Sequence, residues 1–391
     1  MKIVADENIV AVAALYRCHG ELLLIPGRAI AREHVRDADV LLVRSITRVD
    51  RALLEGSSVR FVATATSGTD HLDLLWLAQQ GIAVVEAAGS NANAVVEYCL
   101  ASLAELVLRG NLTLQGRSVA IIGFGQVGSR LHTALHTLGI EALVCDPFVE
   151  RESRRDGRHS RVQFCSMDEA LQASIISLHT PLTRDGSHAT RHLLDRTRID
   201  SLPAGTVLIN AARGGVVCNA SLLARLQRRN DLHCILDVWE NEPEISSALL
   251  QHVALGTPHI AGYSVEAKAS ASERNYRDFL QHFALPDARA VPAAAAERVT
   301  LQVDLGGAGT DELALARCLR AALPVAQIDR ELRASEPGAD LFDAIRKRIS
   351  ERREFAHYTL QVTGMEEGRV SAALASQVTA LGFQWEVARS D

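Results

Sequence analysis

Hydrophobic and polar positions along the chain fall into two recurring patterns. Short apolar runs, KIVA from Lys2, DVLLVR from Asp39, RFVATA from Arg60 and IAVVEA from Ile82, read as buried strands. Between them, VAALYRCHG and HLDLLWLAQQG have helical spacing, and each closes on a glycine, Gly20 and Gly81, suited to a C-cap. This alternation predicts a parallel sheet with helices on both faces. NANAVVEYCLASLAELVLRG follows as a long helix, with Val96, Cys99, Leu100, Leu103, Leu106 and Val107 on one stripe. A second series of strands begins within RSVAIIGFGQVGSRLHTALHTLG and continues through IEALVCD, ASIISLH, GTVLINA, HCILDVW and HVALGTP.

After a further helix, SVEAKASASERNYRDFLQHF, alanine and proline dominate ALPDARAVPAAAAERV, which reads as a linker. The pattern then changes. VTLQVDL and HYTLQVTG read as strands, DELALARCLRAAL and GADLFDAIRKRISERREF as helices, in the rough order β-α-α-β-α-β of a separate small α+β domain. Arg346, Arg348, Arg352 and Arg353 form a basic run there. It reads as a solvated helix face, with presentation to a neighbouring subunit's phosphate as the alternative.

Length and charge narrow the class. A chain of 391 residues with 48% hydrophobic content predicts two or three domains. The formal net charge of −6 argues against a nucleic-acid partner. No apolar run reaches the length of a membrane span. The opening MKIVADENIV lacks the basic and long apolar regions of a signal peptide. Seven scattered cysteines without a CxxC pair suggest free thiols in a reducing cytoplasm, with neither a disulfide framework nor a metal cage.

The strongest chemical signal is Gly123-Phe124-Gly125-Gln126-Val127-Gly128, a G-x-G-x-x-G loop between an apolar strand and an amphipathic helix. Such a loop allows a tight turn, close approach of a pyrophosphate and close helix packing, and the helix N-terminus supplies amide donors. The next strand ends at Asp146, the expected acid for the hydroxyls of an adenosine ribose, which favours NAD over NADP. Three later strands end at INAARGG, LDVWENEPE and GTPHIAGY, which place Arg213, Glu242 and His259 in loops on the cofactor side. These types suit hydride removal from a 2-hydroxy acid. A neutral histidine can take the hydroxyl proton. A carboxylate can fix its tautomer, and an arginine fork can hold the substrate carboxylate and polarise the C2 oxygen.

LLVRSITRV, residues 41–49, starts as a buried strand and ends on a cation and a hydroxyl, Arg44 and Ser45. The strand has either reached the surface or lines an anion site. With Arg213 available for the carboxylate, Arg44 and Ser45, joined by Thr66, suit a phosphate at the far end of the substrate.

With these motifs, residues 1 to 285 resemble the D-isomer-specific 2-hydroxyacid dehydrogenases, through the glycine loop, LHTPLT, INAARGGVV, LDVWENEP and TPHIAG. The resemblance implies an α/β fold of two Rossmann-like lobes plus a small C-terminal α+β dimerisation domain. A substrate-binding lobe would take residues 1–95 and 263–288, an NAD-binding domain 96–262 and the dimerisation domain 289–391, with long helices near 93–110 and 264–284 as the hinge. It implies catalysis by Arg213, Glu242 and His259, and Thr180, Ala211, Asp237 and Gly262 along the nicotinamide half of NAD. Within the family, KIVADENI, FVATATSGTDHLD and HIAGYSVEAKA are similar to a branch acting on a small phosphorylated 2-hydroxy acid, in which Ser45, Thr66 and Tyr263 would contact substrate and the chain would form a homodimer. Two departures from that branch are Ala88 and Ser90 where proline and cysteine are usual, and Cys218 where an aspartate is usual. Two alternatives stay open: another dehydrogenase of the family, such as 3-phosphoglycerate dehydrogenase, and a non-catalytic NAD-sensing protein on the same fold.

Overall fold

The computed structural model describes residues 1–287, 298–334, 338–364 and 371–387; most of the expected alanine–proline linker lies outside them. The chain divides into two compact units, residues 1–91 with 264–295, and residues 92–263 with 296–391.

The first unit holds a five-stranded, wholly parallel sheet. Its strands are β1 (Lys2–Asp6), β2 (Glu21–Ile25), β3 (Val40–Val43), β4 (Phe61–Thr64) and β5 (Ala83–Glu86), in the order β2-β1-β3-β4-β5. β2 was not among the expected strands. The helix before it spans only Val12–Tyr16, a short 3-10 turn Arg17–His19 follows, and Gly20 caps that turn and leads straight into the edge strand, with Glu21 N bonded to Met1 O at 2.9 Å. The returning Val265–His282 helix covers one face of this sheet through Tyr276 and Phe279, which meet Tyr16 and Phe61. Val4, Leu41, Val43, Val62 and Leu77 form the core on the other face.

The second unit begins with the Ala92–Leu108 helix and a seven-stranded parallel sheet. Its strands are β6 (Val119–Ile122), β7 (Ala142–Cys145), β8 (Gln163–Phe164), β9 (Ile175–Leu178), β10 (Val207–Asn210), β11 (His233–Leu236) and β12 (Leu255–Gly256), in the order β12-β11-β10-β9-β6-β7-β8. The order reverses between β6 and β9. Three further parallel strands, β13 (Val299–Asp304), β14 (Tyr358–Thr363) and β15 (Gln384–Val387), make the C-terminal sheet. Three helices, Asp311–Ala322, Val325–Arg333 and Ala339–Ile349, cross from β13 to β14 where two were expected. Pro324 separates the first two.

The long Ala92–Leu108 helix does not have the single apolar stripe that its sequence suggests. Every residue from Ala94 to Val107 is buried. The reason is that one side packs on the Gln126–Thr137 helix and another on the C-terminal Asp311–Ala322 helix, so one hydrophobic core runs through both sheets. Asp329 adds a polar tie, accepting from Gly256 N at 2.7 Å.

The basic run needs a correction. Arg348 is half exposed beside Glu331, but Arg346 and Arg352 turn inward. Arg352 lies past the end of its helix and pairs with buried Glu97 at 2.7 Å. It also donates to Ala94 O at 2.9 Å, while Phe355 N donates to the other Glu97 oxygen at 2.6 Å. Burial pushes the Glu97 carboxyl up to about 7, against the pull of the Arg352 guanidinium. Removing one partner of a buried pair leaves the other charge without compensation. Arg352→Ala is therefore expected to destabilise the protein by about 3–5 kcal/mol in denaturant unfolding, and Glu97→Leu with Arg352→Met to cost clearly less.

Candidate active site

The strand order reverses between β6 and β9, and in open α/β sheets ligands bind outside the carboxyl ends of strands at such a reversal. The glycine loop sits there, and its geometry explains its composition. Gly123 takes φ 93°, and a Cβ on it would lie 2.7 Å from His179 O; a Cβ on Gly128 would lie 2.0 Å from Gly123 O. Gly125 faces open space, and the helix N-terminus formed by Gln126 and Val127 follows it. Thr180, just past β9, has a buried hydroxyl with no partner among the described residues. A tight loop without side chains, a helix N-terminus and an unspent hydroxyl at one reversal of strand order fit a dinucleotide.

Asp146 stands at the end of β7, as expected, with more work than expected. One oxygen accepts from Phe124 N at 2.8 Å and the other from Phe148 N and Val149 N. A carboxylate offers about four acceptor sites, so Asp146 anchors the glycine loop and keeps room for about one ribose hydroxyl rather than both.

Glu242 and His259 meet. His259 Nδ1 lies 2.7 Å from Glu242 Oε2, and Glu242 Oε1 accepts from Trp239 N at 2.7 Å. Burial alone would push the Glu242 carboxyl up, but His259, the Trp239 amide and Arg346 hold it below its ordinary value. With the carboxylate ionised, Nδ1 is the donor and Nε2 keeps the lone pair a base needs.

Asp237 is what shapes the His259 loop. It is fully buried and accepts from Thr257 Oγ1, Ile260 N and Ala261 N at 2.7–2.9 Å, while His259 N donates to its carbonyl. Burial pushes its carboxyl above the ordinary value. Among the described residues, the partners of its carboxylate therefore lie in the loop that carries His259, Gly262 and Tyr263. Tyr263 N closes that loop's turn on Ile260 O.

Ala211 and Arg213 follow β10. Gly214 lets the Arg213 loop lie directly on the Trp239 backbone, since a Cβ there would overlap Trp239 O at 1.9 Å. Arg213 and Glu242 thus come from two loops in backbone contact. Cys218, the unusual residue before the Asn219–Arg229 helix, makes no side-chain cap. Glu240 supplies it instead, accepting from Asn219 N at 2.8 Å. His192, Cys218 and Glu240 bring three possible metal ligands within 4.8 Å of one another, but His192 and Glu240 already bond each other at 2.7 Å.

In the first unit, β1 and β3 flank a reversal of the same kind, and Asp6 and Arg44 stand at their carboxyl ends. Arg44 Nε donates to fully buried Asp6 at 2.8 Å. Asp6 is a site residue that reading the sequence missed; its signal was an acid closing KIVAD. Ser45 is exposed beside Arg44. Thr66 lies past the neighbouring β4 and bonds Thr64 Oγ1 at 2.9 Å. The three side chains proposed for phosphate therefore share one edge of one sheet.

Residues 104–261 match the D-isomer specific 2-hydroxyacid dehydrogenase, NAD binding domain. The fold is that of solved members of the class. The NAD-dependent formate dehydrogenase of Staphylococcus aureus aligns with 76% of this chain and 99% of its own at a TM-score of 0.60 and 23% identity. The 3-phosphoglycerate dehydrogenase of Entamoeba histolytica aligns with 75% and 99% at 0.60 and 24%. Curated relatives are much nearer. Erythronate-4-phosphate dehydrogenase of Chromohalobacter salexigens is 45% identical over 93% of this chain and 94% of its own. That of Yersinia enterocolitica is 39% identical over 99% and 100%. The chain belongs to the erythronate-4-phosphate dehydrogenase family, within the D-isomer specific 2-hydroxyacid dehydrogenases, and is an NAD-dependent enzyme.

Proposed function

We propose that the protein oxidises 4-phospho-D-erythronate to (R)-3-hydroxy-2-oxo-4-phosphooxybutanoate, the dehydrogenase step of pyridoxal 5′-phosphate biosynthesis. The observation that carries the reading is the hydrogen-bonded His259–Glu242 pair, in a chain 45% identical to a relative of that name. NAD, when bound, accepts the hydride from C2. Gly123, Gly125, Gln126, Val127, Gly128 and Asp146 hold its adenosine and pyrophosphate end, and Thr180, Ala211 and Gly262 its nicotinamide end, with Asp237 acting there through the loop it shapes. His259 Nε2 takes the proton of the C2 hydroxyl, and Glu242 stabilises the imidazolium that forms. Arg213 holds the carboxylate and the C2 oxygen.

Arg44, Ser45, Thr66 and Tyr263 bind the rest of the substrate. Asp6 fixes Arg44 through Nε, which leaves the two terminal guanidinium nitrogens without a protein partner among the described residues and available to a phosphate. Seven free cysteines support a reducing, cytoplasmic setting. Among the described residues no helix is long and apolar enough to cross a membrane. We read the protein as a homodimer assembled through residues 289–391.

NADH formation tests the activity: turnover with 4-phospho-D-erythronate is expected, and turnover with 3-phosphoglycerate alone would overturn the reading. In the same assay His259→Ala is expected to lower kcat by about 10²–10⁴-fold. Arg44→Ala is expected to raise KM for the phosphorylated acid far more than for its unphosphorylated analogue. An equal rise for both would remove Arg44 from the phosphate.

A further inference from the structure

The Ala339–Ile349 helix carries Arg346 toward the catalytic pair. Its side chain is 22% exposed. Nε donates to Pro258 O at 2.8 Å, the carbonyl immediately before His259. Nη2 lies 3.5 Å from Glu242 Oε2, the same oxygen that meets His259 Nδ1. The guanidinium carbon stands 5.4 Å from the centre of the Phe342 ring, one turn back on the helix. One guanidinium group thus meets the carboxylate of Glu242 and the peptide carbonyl that immediately precedes His259.

We propose that Arg346 is a positioning residue for the hydride-transfer step, which makes the C-terminal segment part of the active site. The proposal rests on the reading of His259 as the base. The physical case has two parts. His259 sits at φ 54°, a left-handed conformation that an L-residue keeps only when its surroundings enforce it. Asp237 enforces it from one side, through the donors of residues 257–261. The bond to Pro258 O fixes the loop from the other. The second part is charge. Arg346, on the C-terminal helix, is one of the groups that hold the Glu242 carboxyl below its ordinary value. Its charge favours ionised Glu242, which makes Nδ1 of His259 the donor and leaves Nε2 to accept the proton.

Among the described residues Arg346 meets no group assigned to substrate or cofactor, so its removal should act on kcat and leave KM nearly unchanged. Arg346→Gln is expected to lower kcat about 10–100-fold, the effect of misplacing a catalytic group by a fraction of an ångström to an ångström. Arg346→Lys keeps the charge and loses the fork, so kcat should recover in part and stay below the wild-type value, again at constant KM. A protein merely loosened by the substitution would lose heat stability and active fraction without this graded return with lysine. Unchanged kcat in Arg346→Gln, or a rise in KM alone, would overturn the proposal. If Arg346→Gln does not fold, Arg346→Lys decides: lower kcat at constant KM supports the role, and full kcat refutes it. His259→Ala run in parallel separates the two readings. If it keeps full turnover, the assignment of the base has failed; if it is impaired and Arg346→Gln is not, only the present inference has.

Discussion

Asp237 has no access to water, and a carboxylate in such a place is costly unless donors surround it. Its donors are the hydroxyl of Thr257 and the amides of Ile260 and Ala261, so the group that needs satisfying and the loop that needs shaping solve each other's problem. The arrangement extends further. Tyr98, wholly buried in the Ala92–Leu108 helix, donates to Thr257 Oγ1 at 2.7 Å, and Trp239 Nε1 donates to Thr257 O at 2.9 Å. The helix, the end of β11 and the His259 loop are thereby one hydrogen-bonded unit. Such a network is worth having only if it is complete, since a lost partner leaves a buried polar group unpaired. It also explains how the chain tolerates a histidine at positive φ beside the reacting atoms.

The parallel strands were legible because each is a short apolar run closed by a turn, and a strand buried on both faces has to look like that. β2 escaped, although Gly20 marks the break before it, because it is an edge strand with neither a fully buried run nor a period-two burial pattern, and it leaves Leu23 and Leu24 exposed. The Val325–Arg333 helix escaped because it is short and lies just after Pro324. At the site, Glu242 and His259 were legible from residue type and strand-end position, and the structure brings them within bonding distance. Asp6 and Arg346 were not. Each acts on a partner more than thirty residues away in sequence, and nothing in the local pattern of an acid at a strand end or an arginine on a helix reveals which group it will meet.

Arg44 illustrates what tertiary structure adds to a motif. An arginine at the end of a buried strand is ambiguous by itself. Paired through Nε with a fully buried aspartate, it has a fixed plane and a fixed direction, and it stands where the strand order reverses. A carboxylate behind a guanidinium also offsets part of its charge, so such a pair recognises an anion by the geometry of its donors more than by net attraction.

The Ala92–Leu108 helix is buried on every side, and part of that cover comes from the Asp311–Ala322 helix of the C-terminal segment. Solved structures of this fold align with about three quarters of the chain, 76% and 75% in the two cases above. It would be natural to regard the remainder as an accessory that could be trimmed to leave a minimal catalytic body. The packing says otherwise. Cut away, the segment would leave Leu100, Leu103, Ala104 and Val107 facing water in one contiguous apolar strip beside Leu315 and Leu319's vacated places, the kind of surface that drives self-association. In this chain the shorter fold is not a separable body within the longer one, because its central helix is apolar on the side that faces the C-terminal segment as well as on the side that faces its own sheet.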